Sequence, residues 1–140
     1  MIIDPIYSIG IDEMDAQHAR WIHLIEEFKK AAAGRLLESS SIHAARQALT
    51  QLLEYTKSHF ASEEQFISAH HYPDLEAHKQ HHRELERAVV KLHDEIMAHT
   101  SNKVPLKLNL LITIWLMEHI TQEDAKYASF ILGKKAAAAR

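Results

Sequence analysis

The 140-residue sequence predicts an all-α protein, an antiparallel up-down-up-down four-helix bundle with a non-helical N-terminal arm. Three observations predict this fold. Glycine and proline occur only three times each, so few positions break a helix. Apolar residues recur at spacings of three and four, and no segment alternates as a β-strand does. The breakers leave four segments of about 20–29 residues with short connections, which favours antiparallel neighbours.

The first half of the chain predicts the arm and two helices. Residues 1–11 form the arm, and Asp12 is the expected N-cap of the first helix. This helix ends near Gly34, because glycine favours the position that follows a helix C-terminus. The serines of "ESSS" (38–41) can cap a second helix, which ends near the stretch "HHYPD".

The second half predicts two more helices and a tail. Pro73 suits the start of a third helix that reaches about Thr100. After the linker "SNKVP", Pro105 begins the fourth helix and Gly133 can close it. The chain is therefore expected to form a single domain with its bundle at about 12–132, and the alanine-rich residues 133–140 are expected to be a frayed tail.

Composition and charge limit the classes of function. A net charge of −3 and the lack of a basic run argue against a nucleic-acid partner. No uninterrupted apolar stretch could span a membrane and the N-terminus lacks the basic region of a signal peptide, so a cytoplasmic protein is expected. The chain has no cysteine, which excludes disulfides, thiolate metal sites and thiol nucleophiles. Any metal ion must therefore be held by histidines and carboxylates.

The chain contains twelve histidines, and their positions on the predicted helices separate candidate ligands from surface residues. Positions i, i+3, i+4 and i+7 of a helix share a face, and a ligand inside a bundle must lie on the apolar face. Two neighbours of the candidates, His81 and Glu64, lie off this face. Seven groups pass the test, from all four helices: His18, His59, Glu63, His78, His82, His119 and Asp124.

Seven nitrogen and oxygen ligands are more than one four-coordinate ion uses. Burying them without compensation would cost several kcal/mol for each charged group. Two metal ions that share two bridging carboxylates satisfy all seven. A donor set without thiolate suits iron best, with manganese, zinc or cobalt as alternatives. Dividing the five histidines as three and two, and adding both carboxylates and one solvent-derived bridge, leaves one metal six-coordinate and the other five-coordinate, with an open position.

One spacing does not fit a regular helix. The five residues from His119 to Asp124 turn by about 500°, which would leave the two side chains about 140° apart. The apolar face of this helix also shifts by one residue at the same point. The sequence therefore predicts a local widening of the helix, such as a π-bulge, between these two ligands.

Four motifs together resemble the hemerythrin family, specifically its single-domain bacterial members, the bacteriohemerythrins. They are "DAQH" (15–18), "HFASEE" (59–64), "HKQHH" (78–82) and "WLMEHITQED" (115–124), and the resemblance extends over about residues 7–132. It implies two iron ions with an oxo or hydroxo bridge. The six-coordinate iron would be held by His78, His82 and His119, and the five-coordinate iron by His18 and His59, with bridges from Glu63 and Asp124.

The resemblance implies reversible dioxygen binding rather than catalysis, with dioxygen held as a hydroperoxide on the five-coordinate iron. It places an oxygen pocket at Phe60, Trp115, Leu116 and Tyr127. Transport, storage and delivery to an oxygen-using enzyme all stay open as roles. Other classes also stay open, namely a di-iron oxidase or peroxidase, an oxygen or iron sensor, and an iron-storage protein. The Glu-x-x-His motif of the ferritin-like di-iron enzymes does not occur in the sequence.

Overall fold

A computed structural model of the protein describes residues 7–32, 39–98 and 114–138. These ranges contain four helices and no strand, which confirms the predicted all-α fold. Helix α1 spans Asp12–Ala32, α2 spans Ser39–Ala69 and α3 spans Leu75–Ala98. Helix α4 covers 114–138 and includes a π-helical segment, His119–Asp124. Helix α2 packs against both α1 and α3.

The N-terminal arm has no α-helix where the structure describes it, and it is tied to the first turn of α1. The backbone N–H of Ile9 donates to Asp15 Oδ1 at 2.8 Å, and Ser8 Oγ donates to Asp15 Oδ2 at 2.7 Å. The Ile11 carbonyl accepts the N–H of Asp15 at 2.8 Å. Ile11 therefore occupies the N-cap position, and the predicted cap Asp12 lies in the first turn instead.

The connection between α2 and α3 is a compact turn. The N–H of Tyr72 donates to the Ile67 carbonyl at 3.1 Å, and the N–H of His71 donates to the Ser68 carbonyl at 3.0 Å. His71 has a φ of 57°, so these bonds form the Schellman ending of a helix with a non-glycine residue in the left-handed region. The turn brings the last two turns of α2 beside the first two turns of α3.

Helix α4 does not end where the sequence analysis placed its end. It continues through Gly133 to Ala138, so the prediction that Gly133 closes the helix is wrong. A glycine inside a helix costs only about 1 kcal/mol relative to alanine. The residues that follow, "KKAAAAR", are strong helix formers without a proline. The predicted helix ends at Gly34 and Thr100 and the predicted start at Pro105 lie outside the described residues.

The π-helical segment His119–Asp124 confirms the predicted widening of α4. One additional residue in this turn brings both end residues to the buried side of the helix, where each is at most 3% exposed. As a result, His119 Nε2 lies 3.0 Å from Asp124 Oδ1. The irregularity therefore places two potential metal ligands together where a regular helix would separate them.

The interior is formed by large apolar side chains of all four helices, among them Trp21, Phe28, Leu49, Leu92, Ile120 and Tyr127. Among the described residues, eight polar ones are buried with them; seven of these are the candidate ligands and the eighth is Thr56. No helix in the described part of the chain is both long and apolar enough to cross a membrane. The polar interior is therefore the feature of this fold that needs a chemical explanation.

Candidate metal centre

The structure brings all seven candidate ligands together in the core. Their nitrogen and oxygen atoms form two groups, and within each group these atoms lie within 4.8 Å of one another. One group contains three histidines and the other contains two. The carboxylates of Glu63 and Asp124 belong to both groups. The three-histidine group is completed by His78, His82 and His119, and the two-histidine group by His18 and His59.

Glu63, from α2, presents a different oxygen to each group. Its Oε1 lies 2.8 Å from Nε2 of His78 and 2.8 Å from Nε2 of His82. Its Oε2 lies 3.3 Å from Nε2 of His18 and 3.3 Å from Nε2 of His59. A carboxylate that gives one oxygen to each of two histidine groups has the arrangement of a bridging ligand between two metal ions.

Asp124, in the π-helical segment of α4, also presents a different oxygen to each group. Its Oδ1 lies 3.1 Å from His78 Nε2 and 3.0 Å from His119 Nε2, and its Oδ2 lies 3.0 Å from His18 Nε2. Two ligands bound at about 2.1 Å to one ion lie about 3.0 Å apart when they are at right angles. The observed separations therefore suit atoms that share an ion.

Hydrogen bonding leaves several buried polar atoms of the cluster without a partner. Both oxygens of Asp124 and Nε2 of His59 have no hydrogen-bond partner among the described residues, because the close nitrogen and oxygen atoms are not aligned for one. Nδ1 of His18 and of His119 are also without a partner there. Buried polar atoms are normally paired, so this many exceptions in one place need an explanation. Two cations between the groups would supply partners for the carboxylate oxygens and for Nε2 of His59.

His59 is held by residues that the sequence analysis did not identify. Its Nδ1 donates to Gln17 Oε1 at 2.7 Å, which leaves the Nε2 lone pair directed into the two-histidine group. The Gln17 side chain donates through Nε2 to Ser62 Oγ at 3.0 Å, and Tyr55 Oη donates to the Gln17 carbonyl at 3.0 Å. Only the position of Gln17 beside His18 in "DAQH" could have indicated this role.

His82 is held by Glu64, which the sequence analysis placed away from the core. That interpretation is wrong, since His82 Nδ1 donates to Glu64 Oε2 at 2.9 Å and the Glu64 side chain is only 26% exposed. Glu64 starts on the flank of α2, but its side chain is long enough to reach across to α3. A carboxylate bonded to the second nitrogen of a metal-binding histidine fixes the ring and increases its basicity.

The two carboxylates make three of the histidines strong bases when no metal is bound. Burial disfavours the charged imidazole, but the short contacts with Asp124 and Glu63, and the negative charges of these two carboxylates, outweigh it. They raise the pKa of His18 to about 9, that of His78 to about 9 and that of His119 to about 10. In the metal-free protein these rings are therefore cationic at neutral pH, and a metal ion must displace their protons.

The remaining groups of the cluster shift in the opposite direction. Burial, together with the positive charges of His119 and His78, lowers the pKa of His82 despite the hydrogen bond to Glu63. Burial alone would raise the pKa of the two carboxyl groups. The surrounding histidines more than reverse this effect and hold the pKa of Glu63 and of Asp124 well below the ordinary range. Both carboxylates therefore stay ionised and can bind cations over the whole neutral range.

Two of the four predicted pocket residues contact the cluster, and a third is buried in the core. The Phe60 ring stacks on the His82 ring with centroids 3.8 Å apart, and Leu116 is fully buried. Tyr127 Oη donates to Glu63 Oε2 at 3.0 Å, and burial raises the pKa of Tyr127 far above its usual value, so the hydroxyl keeps its proton.

The fourth predicted pocket residue does not lie in the interior. Trp115 is 43% exposed and lines a surface groove, so its assignment to the pocket is wrong. The buried face of α4 steps by three residues from Leu116 to His119, which turns Trp115 outward. His81 lines the same groove and is 47% exposed, with Nε2 3.6 Å from Glu123 Oε2, as expected for a residue off the buried face.

Comparison with known proteins agrees with this arrangement. Residues 9–131 match the family model of the hemerythrin HHE cation binding domain. Relatives named bacteriohemerythrin include one from Stenotrophomonas maltophilia, 30% identical over 121 residues that cover 86% of this chain and 74% of the relative. Another, from Pseudomonas aeruginosa, is 32% identical over 125 residues, with 89% and 76% covered. A third, from Clostridium acetobutylicum, is 23% identical over 126 residues, with 86% and 93% covered. The chain therefore belongs to the hemerythrin family.

Proposed function

We propose that the protein binds dioxygen reversibly at a di-iron centre held by the seven buried residues. The observation that carries this proposal is the unequal pair of histidine groups bridged by Glu63 and Asp124. Three histidines and two carboxylates can nearly fill one metal position, whereas two histidines and the same carboxylates leave the other incomplete. The incomplete position, at His18 and His59, is where we expect dioxygen to bind.

The ligand chemistry supports iron as the resident metal. The donors are imidazole nitrogens and carboxylate oxygens, and the sequence has no cysteine to supply thiolate. This donor set suits iron. The matching family model describes a cation binding domain, and the relatives are named bacteriohemerythrins, which agrees with a bound metal ion. When bound, two ferrous ions would supply the electrons for dioxygen binding and an open coordination position.

The side chains around the two-histidine group keep water out. The Trp21 ring is fully buried, with its centroid 5.1 Å from that of His59 and 6.4 Å from that of His18. Its only polar atom, Nε1, donates to Thr56 Oγ1 at 2.9 Å, and this hydroxyl donates in turn to the Leu52 carbonyl at 2.7 Å. The wall therefore offers no free proton donor at this point.

The proton of Tyr127 is also engaged, because the hydroxyl donates to Glu63 Oε2. An enclosed site whose described walls offer no free acid favours the release of dioxygen unchanged over onward reaction. This is the feature that favours an oxygen-binding protein over an oxidase or peroxidase. Transport, storage and delivery to an oxygen-using enzyme would all use the same reversible step.

The test is an optical titration of the iron-loaded, fully reduced protein. Admitting dioxygen should produce new absorption bands, and removing it under argon should abolish them over several cycles, with one dioxygen bound for each pair of irons. Irreversible bleaching with release of hydrogen peroxide would instead indicate an oxidase. The His81→Ala variant is the matched control, because this exposed histidine lies off the buried face and its loss should leave the cycles unchanged.

A further inference from the structure

The two histidine groups differ in a second respect. In each group one histidine donates its Nδ1 proton to a neighbouring side chain, and the charge of that side chain differs between the groups. In the two-histidine group, His59 Nδ1 donates to the neutral amide of Gln17 at 2.7 Å. In the three-histidine group, His82 Nδ1 donates to the carboxylate of Glu64 at 2.9 Å. Amide and carboxylate side chains have nearly the same shape, so the difference between these two contacts is mainly one of charge.

Both contacts are built into the fold. The side-chain amide nitrogen of Gln17 donates to Ser62, and the backbone carbonyl of Gln17 accepts from Tyr55. The Tyr55 ring lies parallel to the His59 ring with centroids 6.2 Å apart. Glu64 is the residue after Glu63 in α2, and Glu63 Oε1 lies 2.8 Å from Nε2 of the same His82 ring. The His82 imidazole therefore lies between two carboxylates, whereas His59 has a carboxylate on one side only.

We propose that Gln17 and Glu64 are positioning residues that make the two metal positions electronically unequal, so that the ferric state is stabilised more at the three-histidine position than at the two-histidine position. The inference rests on the di-iron centre of the proposed function but does not require that dioxygen bind to it.

The physical reason is the charge that each hydrogen bond adds to the imidazole. A carboxylate that accepts the Nδ1 proton increases the basicity of the ring and hence its donation to the metal at Nε2. Hydrogen bonds to an ionised acceptor are also roughly twice as strong as neutral ones. Both effects favour the more highly charged ion, and a mostly buried site screens them less than water would. Gln17 orients His59 equally well without this added charge.

The consequence concerns where an electron goes. When a small-molecule reductant gives one electron to the fully ferric centre, the iron at His18 and His59 should accept it first, leaving the other iron ferric. The same inequality would help this iron to return to the ferrous state when dioxygen leaves. Gln17 would therefore favour reversibility at the position that we expect to bind dioxygen.

The experiment is a reductive titration of the iron-loaded protein with dithionite and mediator dyes, which measures the two one-electron potentials. Glu64→Gln keeps a hydrogen-bond acceptor but removes the charge, so it should raise the lower potential. Gln17→Glu should lower the higher potential. The separation between the two steps should narrow by about tenfold in equilibrium constant for each change, or about 59 mV. The exchange variant Gln17→Glu/Glu64→Gln keeps the net charge and should narrow it most.

The control is Glu76→Gln, the same change of charge at a side chain that is 84% exposed and paired with Lys79 at the surface. It should leave the separation unchanged. An unchanged separation between the two potentials in Glu64→Gln would overturn the proposal. Glutamine can also accept the Nδ1 proton of His82, so a residue that only held the ring in place could be replaced by glutamine without changing the potentials. Glu64→Gln decides the matter even if the buried charge of Gln17→Glu prevents folding. If the potentials shift as predicted but the protein does not bind dioxygen reversibly, the proposed function is refuted and this inference stands.

Discussion

Loading the metal-free protein with Zn²⁺, which does not change oxidation state, should displace about three protons per chain from His18, His78 and His119 at pH 7. Zinc binds the unprotonated ring nitrogen of histidine, so each protonated ligand must lose its proton. His18 and His78 have pKa values of about 9 and His119 a value of about 10, so all three are almost fully protonated two or more pH units below these values. His82 adds no proton, because its pKa is lowered.

The number of protons should fall as the pH rises. At pH 9 the two histidines with a pKa of about 9 are half protonated and the third is mostly protonated, so about two protons should be released. Titration calorimetry in two buffers with different heats of protonation measures this number directly. A release near zero at pH 7, or one that does not fall between pH 7 and pH 9, would refute the electrostatic account of the cluster.

Three further predictions concern the same cluster. His82→Ala should reduce the metal content after dialysis, whereas His81→Ala should retain it; equal losses on elemental analysis would contradict the assignment of ligands. Tyr127→Phe removes a hydrogen bond to the buried Glu63 carboxylate and should lower the free energy of unfolding of the metal-free protein by about 1.5–3 kcal/mol, measured in urea. The metal-free protein should lose stability as the pH rises from about 6.5 through 9 to 10, because the three histidines with raised pKa values stabilise the fold only while they are protonated. The metal-loaded protein should show no such loss over this range. Equal pH profiles of the two forms in urea unfolding would contradict this prediction.

Helical periodicity was sufficient to predict where the candidate ligands would lie, because burial in a bundle follows from the face of a helix. The five-residue step from His119 to Asp124 was informative for the opposite reason. Two polar residues that both require the interior cannot share a face of a regular helix at that spacing, so the helix itself had to change. The structure has the π-helical segment at this step.

The contacts behind the ligands could not be predicted in this way. Gln17 and Glu64 lie at the edge of the buried faces, and whether such side chains turn inward depends on how far they reach toward a neighbouring helix. The prediction for Trp115 was wrong for a related reason. Trp115 and Leu116 both lie about one turn before His119, and periodicity alone does not decide which of them is buried. At Gly133 the local glycine signal was outweighed by the strong helix formers that follow it.

The central claim is that seven residues hold two metal ions with unequal histidine ligands. Anomalous diffraction from crystals of the iron-loaded protein tests it most directly, because it locates each iron independently of the protein density. We predict two iron peaks per chain, both in contact with Glu63 and Asp124, one bound by His78, His82 and His119 and the other by His18 and His59. A single iron, or two irons without a shared carboxylate, would contradict the account.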